Sequence, residues 1–214
     1  MRGAFITFEG VEGAGKTTQA RLLRDHLLGM GLRCQIVREP GGEPTAEAIR
    51  GLLLAAQDPV TARAELLLFA AARAQLVERV VLPALREGVV VLCDRYADST
   101  VAYQGHARGH DVAFVRSVNV FATGGLSPDL TLLLDLPADE GLRRQPDRNR
   151  MEREPLEFHR RVREGYLAEA EREPARFTVI DARLPAEGVH AEIVRRALAV
   201  ADPARAQAPI DPQA

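Results

Sequence analysis

Lysine is almost missing from this chain. Of the 28 residues that are lysine or arginine, 27 are arginine, and the one lysine is Lys16. The common GTPases read guanine through an N-K-x-D motif in addition to a phosphate-loop lysine, and a single lysine cannot serve in both. An ammonium and a guanidinium are not interchangeable as phosphate ligands. The lone lysine therefore marks a position where arginine does not serve.

Other features are missing as well. The 28 basic and 30 acidic residues leave a net charge of -2, which indicates no polyanionic partner such as nucleic acid. Apolar runs such as residues 89–93 are far shorter than the roughly 20 residues of a membrane-spanning helix. The first residues show no signal-peptide pattern, and Cys34 and Cys93 are not arranged as a pair. These observations predict a compact cytoplasmic protein with reduced thiols and no membrane partner.

The apolar pattern alternates between strands and helices. An apolar fraction of 46% over 214 residues suits one domain, predicted over residues 1–200, followed by a disordered tail at 201–214. The predicted strands cover residues 4–9, 34–37, 89–93, 130–136 and 177–180. The predicted helices cover residues 16–28, 45–54, 63–85, 99–104, 112–123, 156–171 and 186–200.

Strands that alternate with helices predict an α/β fold with a five-stranded parallel sheet and helices on both faces. Ligands of such sheets bind at the carboxyl ends of the strands. The loops that follow these ends are therefore the place to look for a site.

The strongest motif lies between the first strand and the first helix. Residues 10–17, GVEGAGKT, fill every position of G-x-x-x-x-G-K-[ST]. Small residues allow backbone N–H groups to surround an anion, Lys16 would reach the β and γ phosphates, and the Thr17 hydroxyl would bind Mg²⁺. The alternative is a glycine-rich turn that matches by chance. The predicted ATP-binding residues in this loop are Gly10, Val11, Glu12, Gly13, Ala14, Gly15, Lys16, Thr17 and Thr18.

A second pair of polar residues ends the third predicted strand. The carboxylate of Asp94 could hold Mg²⁺ directly or through water, and Arg95 could face the gap between donor and acceptor phosphates. The alternative is that Asp94 only forms a turn. The phosphate loop beside it favours a metal site.

Several further motifs together resemble one family. They are FEG at 8–10, EGAGKTT at 12–18, REPGG at 38–42, FAAAR at 69–73, DRY at 94–96, AYQG at 102–105 and PDLT at 128–131. With them the chain resembles the thymidylate kinases, a branch of the nucleoside monophosphate kinases, over nearly all of residues 3–200. The resemblance implies a P-loop NTPase fold and transfer of the γ-phosphoryl group of ATP to dTMP for dTTP synthesis. It also implies Mg²⁺ with ATP, and a homodimer formed through helices of residues 63–85.

The resemblance implies how the acceptor base is bound. Phe69 resembles the residue that stacks on thymine, and Arg73, one helical turn later, resembles the residue that donates a hydrogen bond to base O4. A flat apolar surface beside a donor would select a carbonyl over the amino group of cytosine. Without the resemblance, a phenylalanine in the core and an arginine in solvent would be the commoner arrangement.

Further acceptor contacts follow from the same matches. Tyr103 resembles the residue that crowds the sugar 2′ position, and Glu12 resembles the carboxylate that faces the 3′-hydroxyl. Arg38 and Arg50 could neutralise the acceptor phosphate or be solvated charges, and helix capping or packing is the alternative for the residues after Arg95. The predicted dTMP-binding residues are Glu12, Arg38, Phe69, Arg73, Arg95, Ser99, Thr100, Tyr103 and Gln104.

The arginine-rich segment at about 143–155 resembles the mobile lid that folds over ATP. Small residues at 13 and 14 match the bacterial subtype, in which the lid supplies the arginine that stabilises the transferred phosphoryl group. Arg148 and Arg150 are the first candidates, with Arg143 and Arg144 as further ATP-binding residues. The alternative is a solvated run of charge. The predicted catalytic residues are thus Lys16, Asp94, Arg95, Arg148 and Arg150.

Two other functions stay open at this point. Within the same class, the chain could be a kinase of another nucleoside monophosphate or of a deoxynucleoside, which an assay of each acceptor would distinguish. From a different class, it could be a P-loop ATPase switch. Such a switch would hydrolyse ATP without an acceptor and would have no use for the Phe69 and Arg73 pair.

Overall fold

Five parallel strands form the centre of the molecule. The computed structural model describes residues 2–54, 60–145 and 149–201. The strands are β1 (Phe5–Glu9), β2 (Cys34–Arg38), β3 (Val90–Asp94), β4 (Leu130–Asp135) and β5 (Phe177–Asp181). They lie in the order β2-β3-β1-β4-β5, and every neighbouring pair is parallel. The predicted α/β fold is therefore confirmed, while Arg148 and nearly all of the predicted tail lie outside the described residues.

Helices pack on both faces of this sheet. They are α1 (Lys16–Gly29), α2 (Pro44–Leu54), α3 (Ala62–Leu76), α4 (Leu82–Arg86), α5 (Ala97–Thr100), α6 (Val112–Thr123), α7 (Ala138–Arg143), α8 (Leu156–Arg172) and α9 (Ala186–Ala201). Alternate residues of β1 point to opposite faces: Ile6 and Phe8 join the core under α1, α8 and α9, whereas Phe5 joins the core under α4. Burial on both sides explains why the strands are apolar without alternation.

The helix predicted over residues 63–85 is interrupted. It consists of α3, a π-helical segment at Val77–Val81, and α4. Pro83 has no amide hydrogen to continue the α-helical ladder, and the backbone N–H of Leu82 bonds instead to Val77 O, five residues back. A second π-helical segment, Val101–Ala107, extends the helix predicted to end at residue 104.

Helix α7 was not predicted from the sequence. It lies between the fourth predicted strand and the lid segment, where the sequence pattern predicts no element, and Gly141 in its last turn packs against the phosphate loop. No helix within the described ranges combines the length and apolar character needed to span a bilayer.

The register of the sheet brings the site residues together. Phe8 pairs with Asp94, and Asp94 in turn pairs with Arg38 on β2. The carboxyl ends of the three strands β1, β3 and β2 are therefore level, and the loops that follow them open toward the same side.

Candidate active site

A cavity of about 770 Å³ lies at the carboxyl ends of the strands. Its wall is formed by the phosphate loop, the β2–α2 loop, α3, the end of β3, the second π-helical segment and five residues near the lid, namely Arg144, Gln145, Asn149, Met151 and Glu152. The predicted site residues in this wall are Glu12, Gly13, Gly15, Lys16, Thr17, Thr18, Arg38, Arg50, Phe69, Arg73, Asp94, Arg95, Ser99, Thr100, Tyr103, Gln104 and Arg144. Residues far apart in sequence thus share one space.

The phosphate loop needs its glycines for two reasons. Gly10, Gly13 and Gly15 have φ values of 136°, 70° and 90°, a region that side chains disfavour. A Cβ on Gly10 would lie 2.4 Å from Leu134 O, and one on Gly13 would lie 2.3 Å from Gly141 O. The loop can therefore approach both β4 and α7 only with glycine at these positions.

Lys16 is folded against its own loop. Its Nζ donates to Gly10 O at 3.0 Å and to Val11 O at 2.7 Å, and the side chain is buried. Burial, together with the nearby guanidinium of Arg95, lowers the pKa of Lys16 to about 8. The ammonium is thus held inside the ring of backbone groups that a triphosphate would enter.

Thr17 and Asp94 meet beside this lysine. The Thr17 hydroxyl donates to Asp94 Oδ2 through a short hydrogen bond. Two hard oxygen ligands on adjacent elements suit Mg²⁺, which usually keeps water and phosphate oxygens as its other ligands. Among the described residues there is no cluster of three or more acidic, histidine or cysteine side chains that would hold a metal without a nucleotide.

Arg95 has a left-handed backbone and a fixed side chain. Its φ is 69°, the one positive value among the described residues other than glycine. Its Nη1 donates to Gly10 O at 3.2 Å and to Tyr166 Oη at 3.0 Å, while Nη2 lies 3.1 Å from Glu12 Oε1. The guanidinium also lies over the ring of Tyr103. Contacts within the chain therefore hold this arginine at the phosphate loop.

Glu12 is a buried carboxylate surrounded by donors. Burial alone would raise its pKa, but Arg95 and three further neighbours outweigh burial and hold the pKa of Glu12 well below its usual range. One of those neighbours is the Tyr103 hydroxyl, which makes a short hydrogen bond to Oε1. Another is His159, whose Nδ1 lies 3.2 Å from Oε2. The sequence interpretation did not identify His159, because nothing in its own segment of chain points to Glu12.

Glu9 is a second buried acid in the site, and no role was predicted for it from the sequence. It is fully buried and accepts from Tyr96 N at 2.7 Å, Ser99 Oγ at 2.6 Å and Tyr166 Oη at 3.0 Å. Burial, with a further contribution from Asp98, raises its pKa to about 7. Glu9 thus joins the end of β1 to the residues that follow Arg95.

The predicted base-binding pair lies on α3. Phe69 is partly buried and lines the cavity, and Arg73 lines it with only 1% of its surface exposed. The Nε of Arg73 donates to Glu39 Oε2 at 2.8 Å, Nη1 to Asn119 Oδ1 at 2.7 Å and Nη2 to Tyr96 O at 3.1 Å. The alternative of an arginine in solvent is therefore wrong.

Glu39 completes this pair. Its Oε2 lies 2.7 Å from Arg73 Nη2, and its Oε1 is buried without a hydrogen-bond partner in the described residues. Burial raises the pKa of Glu39, although Arg73 opposes the rise. The REPGG motif contains Glu39, but its partner is 34 residues away in the sequence.

The remaining predicted arginines are placed differently from one another. On the acceptor side, Arg38 pairs with Glu47, and Arg50 donates to Pro40 O at 2.7 Å. In the lid segment, Arg144 Nη1 lies 3.4 Å from Gly13 O. Arg143 pairs with Asp139, and Arg150 bonds to Leu53 O and Glu65 outside the cavity wall. Of the lid arginines in the described residues, Arg144 is the one at the phosphate loop.

Comparison with known proteins places most of the sequence in one family. The sequence model of one family, described as thymidylate kinase, matches residues 8–193. A thymidylate kinase of Geobacter sp. (strain M21) is 51% identical over 189 residues, 84% of each chain. A thymidylate kinase of Desulfovibrio desulfuricans is 52% identical over 196 residues, 86% of this chain and 90% of the other.

A solved structure has the same architecture. The crystal structure of thymidylate kinase from Ehrlichia chaffeensis superposes with a TM-score of 0.76 at 32% sequence identity, over 92% of this chain and 99% of that one. The similarity therefore covers most of the chain and is not confined to the phosphate loop.

Proposed function

Because the chain belongs to the thymidylate kinase family and is therefore a kinase, we propose that it transfers the γ-phosphoryl group of ATP to dTMP, giving ADP and dTDP. One observation carries the proposal: a single cavity joins the phosphate loop to the Phe69 and Arg73 wall. A donor triphosphate and an acceptor nucleotide can therefore meet between these two ends.

The transfer needs charge neutralisation and alignment more than covalent chemistry. Lys16 and Arg95 are two cations held at the phosphate loop, and Arg95 is bonded there to Glu12, the carboxylate assigned to the acceptor sugar. The acceptor phosphate is already ionised at neutral pH, so no side chain has to remove a proton from it. The reaction is direct and in line, without a phosphorylated enzyme.

Thr17 and Asp94 would hold Mg²⁺ together with the nucleotide phosphates. Mg²⁺ bound there would neutralise charge on the phosphate oxygens as the phosphoryl group moves. The short hydrogen bond between the two side chains supports this assignment, since it brings both oxygens to one point beside Lys16.

The acceptor residues divide by the part of dTMP that each would bind. Phe69 would stack on the base and Arg73 would donate to O4, while Tyr103 and Glu12 would face the sugar. The remaining assignments are Arg38 and Arg50 at the acceptor phosphate, Ser99, Thr100 and Gln104 at the far edge of the base, and the lid arginines Arg144 and Arg148 at ATP. The other two predicted lid arginines, Arg143 and Arg150, are paired with Asp139 and Glu65 instead.

Two features support a homodimer. Leu67 on α3 is 61% exposed and Phe121 on α6 is 89% exposed, and α6 packs beside α3. Apolar side chains that lie exposed on neighbouring helices suit burial against a second copy. Light scattering should give twice the mass of the chain, and a monomer at micromolar concentration would contradict the homodimer without affecting the activity.

An assay of each nucleoside monophosphate with ATP and Mg²⁺ tests the function. We expect dTDP and ADP in equal amounts, and a kcat/KM for dTMP well above that for AMP, GMP or dCMP. A preference for one of those acceptors would replace the substrate assignment. ATP hydrolysis that is independent of every acceptor would favour the P-loop switch instead.

A further inference from the structure

Glu65, in the first turn of α3, is a completely buried carboxylate with three partners. Its Oε1 accepts from Gln104 Nε2 at 2.9 Å and from Arg108 Nε at 3.1 Å, and its Oε2 accepts from Arg150 Nη2 at 2.6 Å. Burial alone would raise the pKa of Glu65, but these hydrogen bonds outweigh it and hold the pKa below its usual value. The carboxylate is therefore ionised when it meets Gln104.

An ionised carboxylate can only accept hydrogen bonds. Gln104 must therefore present its amide NH₂ group to Glu65, because the flipped amide would bring two oxygens to about hydrogen-bond distance with no proton between them. Gln104 also lines the cavity. With the nitrogen committed to Glu65, the amide oxygen is the end that remains for a ligand.

The base edges of thymine and cytosine carry opposite hydrogen-bonding groups at the two positions that Arg73 and Gln104 would contact. Thymine has an acceptor at O4 and a donor at N3–H, whereas cytosine has a donor at its amino group and an acceptor at N3. Arg73 can only donate, and the Gln104 oxygen can only accept. The two side chains therefore match thymine and oppose cytosine, and a mismatched buried polar group is strongly rejected.

We propose that Glu65 is a positioning residue for base selection, which fixes the amide of Gln104 so that its oxygen accepts from the acceptor base. The proposal rests on the function proposed above. Glu65 itself touches no substrate, and it acts through Gln104 alone. Arg108 and Arg150 balance its charge, so that the carboxylate can stay ionised away from water.

The direct test is Glu65→Gln, which keeps the size but can donate as well as accept. The Gln104 amide is then free to turn. We expect the ratio of kcat/KM for dTMP to that for dCMP to fall at least tenfold, mainly through a higher KM for dTMP, with the KM for ATP changed less than twofold. An unchanged ratio in a folded variant overturns the inference, while the wild-type activity on dTMP still decides the proposed function.

A matched control separates positioning from stability. Glu169 lies on α8, outside the cavity wall, and is another buried carboxylate. It is held by Arg116 of α6 and Arg172 of α8. Glu169→Gln should lower the melting temperature by an amount similar to Glu65→Gln and leave the dTMP to dCMP ratio unchanged. An equal fall of the ratio in both variants would show a structural effect and overturn the proposal.

A double-mutant cycle tests the route of the effect. If Glu65 acts through Gln104, adding Glu65→Gln to Gln104→Leu should not lower the ratio further. A full additional tenfold fall would mean that Glu65 acts by another path. Should Glu65→Gln not fold, Glu65→Asp, which keeps the charge but shortens the reach, takes its place with the same ratio as readout.

Discussion

The two ends of the cavity are lined by different kinds of chemical group. The phosphate end consists of backbone N–H and C=O groups and glycines from one continuous stretch, with Lys16 folded over it. The base end consists of buried side chains joined in ion pairs, such as Arg73 with Glu39 and Arg108 with Glu65. The phosphate loop is therefore encoded locally, with Asp94 and Arg95 reaching it from the end of β3, whereas base recognition depends throughout on contacts between distant segments.

The two ends should also fail in different ways. A change at Lys16 alters which groups surround the phosphates, and the groups it bonds to are backbone carbonyls rather than charged side chains. A change at the base end removes one partner of a buried ion pair, and the partner left behind destabilises the whole fold. The following experiments test this difference, in order of expected effect.

Lys16→Arg should cause the largest loss of activity. The charge is kept, but the planar guanidinium is too wide for the ring of backbone groups that holds Nζ. We expect kcat to fall by at least about a hundredfold, the scale of losing one transition-state donor, with little change in melting temperature. Arg24→Lys on the exposed side of α1 is the control, and near-normal turnover of Lys16→Arg would contradict the prediction.

Arg73→Ala should affect both binding and stability. It leaves Glu39 buried without its partner, so we expect the free energy of unfolding to fall by about 3–5 kcal/mol. The Kd for dTMP should rise far more than the Kd for ATP. Denaturant titration and calorimetric titration with each nucleotide measure the two effects, and an equal loss of affinity for both nucleotides would show that Arg73 is only structural.

Gly141→Ala should damage the phosphate end from outside the loop. A Cβ there would lie 2.1 Å from Glu12 O, so α7 must move away from the phosphate loop. Helix propensity alone would favour alanine by about 1 kcal/mol. We nevertheless expect the KM for ATP to rise by roughly tenfold, because the phosphate loop loses its contact with α7. Gly188→Ala on α9, where a Cβ meets nothing within 4 Å, is the control and should leave the KM unchanged.

The smallest effect is a pH dependence of ATP capture. The pKa of Lys16 in the free enzyme is lowered to about 8, so the ammonium is charged below that pH and loses its proton above it. Since kcat/KM reports the free enzyme, kcat/KM for ATP should fall as the pH rises from 8 to 9, by up to about tenfold. A flat profile over this range would contradict the lowered pKa.

The contrast between the two ends also explains how far the sequence could be interpreted. The strands and the phosphate loop were predictable because burial and glycine requirements act on neighbouring residues. The ion pairs were not, since Glu65 in the first turn of a helix has the same appearance in sequence as an ordinary solvent-exposed acid, and its partner Arg150 is 85 residues away.

Side-chain direction was the other limit. Four lid arginines were proposed to bind ATP or act in catalysis, and the sequence has no signal that distinguishes Arg144 at the phosphate loop from Arg150 at Glu65. Helix α7 was missed because two prolines, three acids and a glycine around it resemble a loop. The position of Arg144 and the formation of α7 both depend on packing against the phosphate loop. The roles of the lid arginines in the reaction stay predictions.

The lone lysine also makes the active site chemically unique. Nζ of Lys16 is the only side-chain amine in 214 residues, and it lies where the triphosphate would bind. Reductive methylation with a carbon-13 reagent would therefore label one side chain, Lys16, and otherwise only the α-amino group of the chain, whose signal does not come from the site. The composition of the chain thus provides a spectroscopic reporter of nucleotide occupancy without mutation.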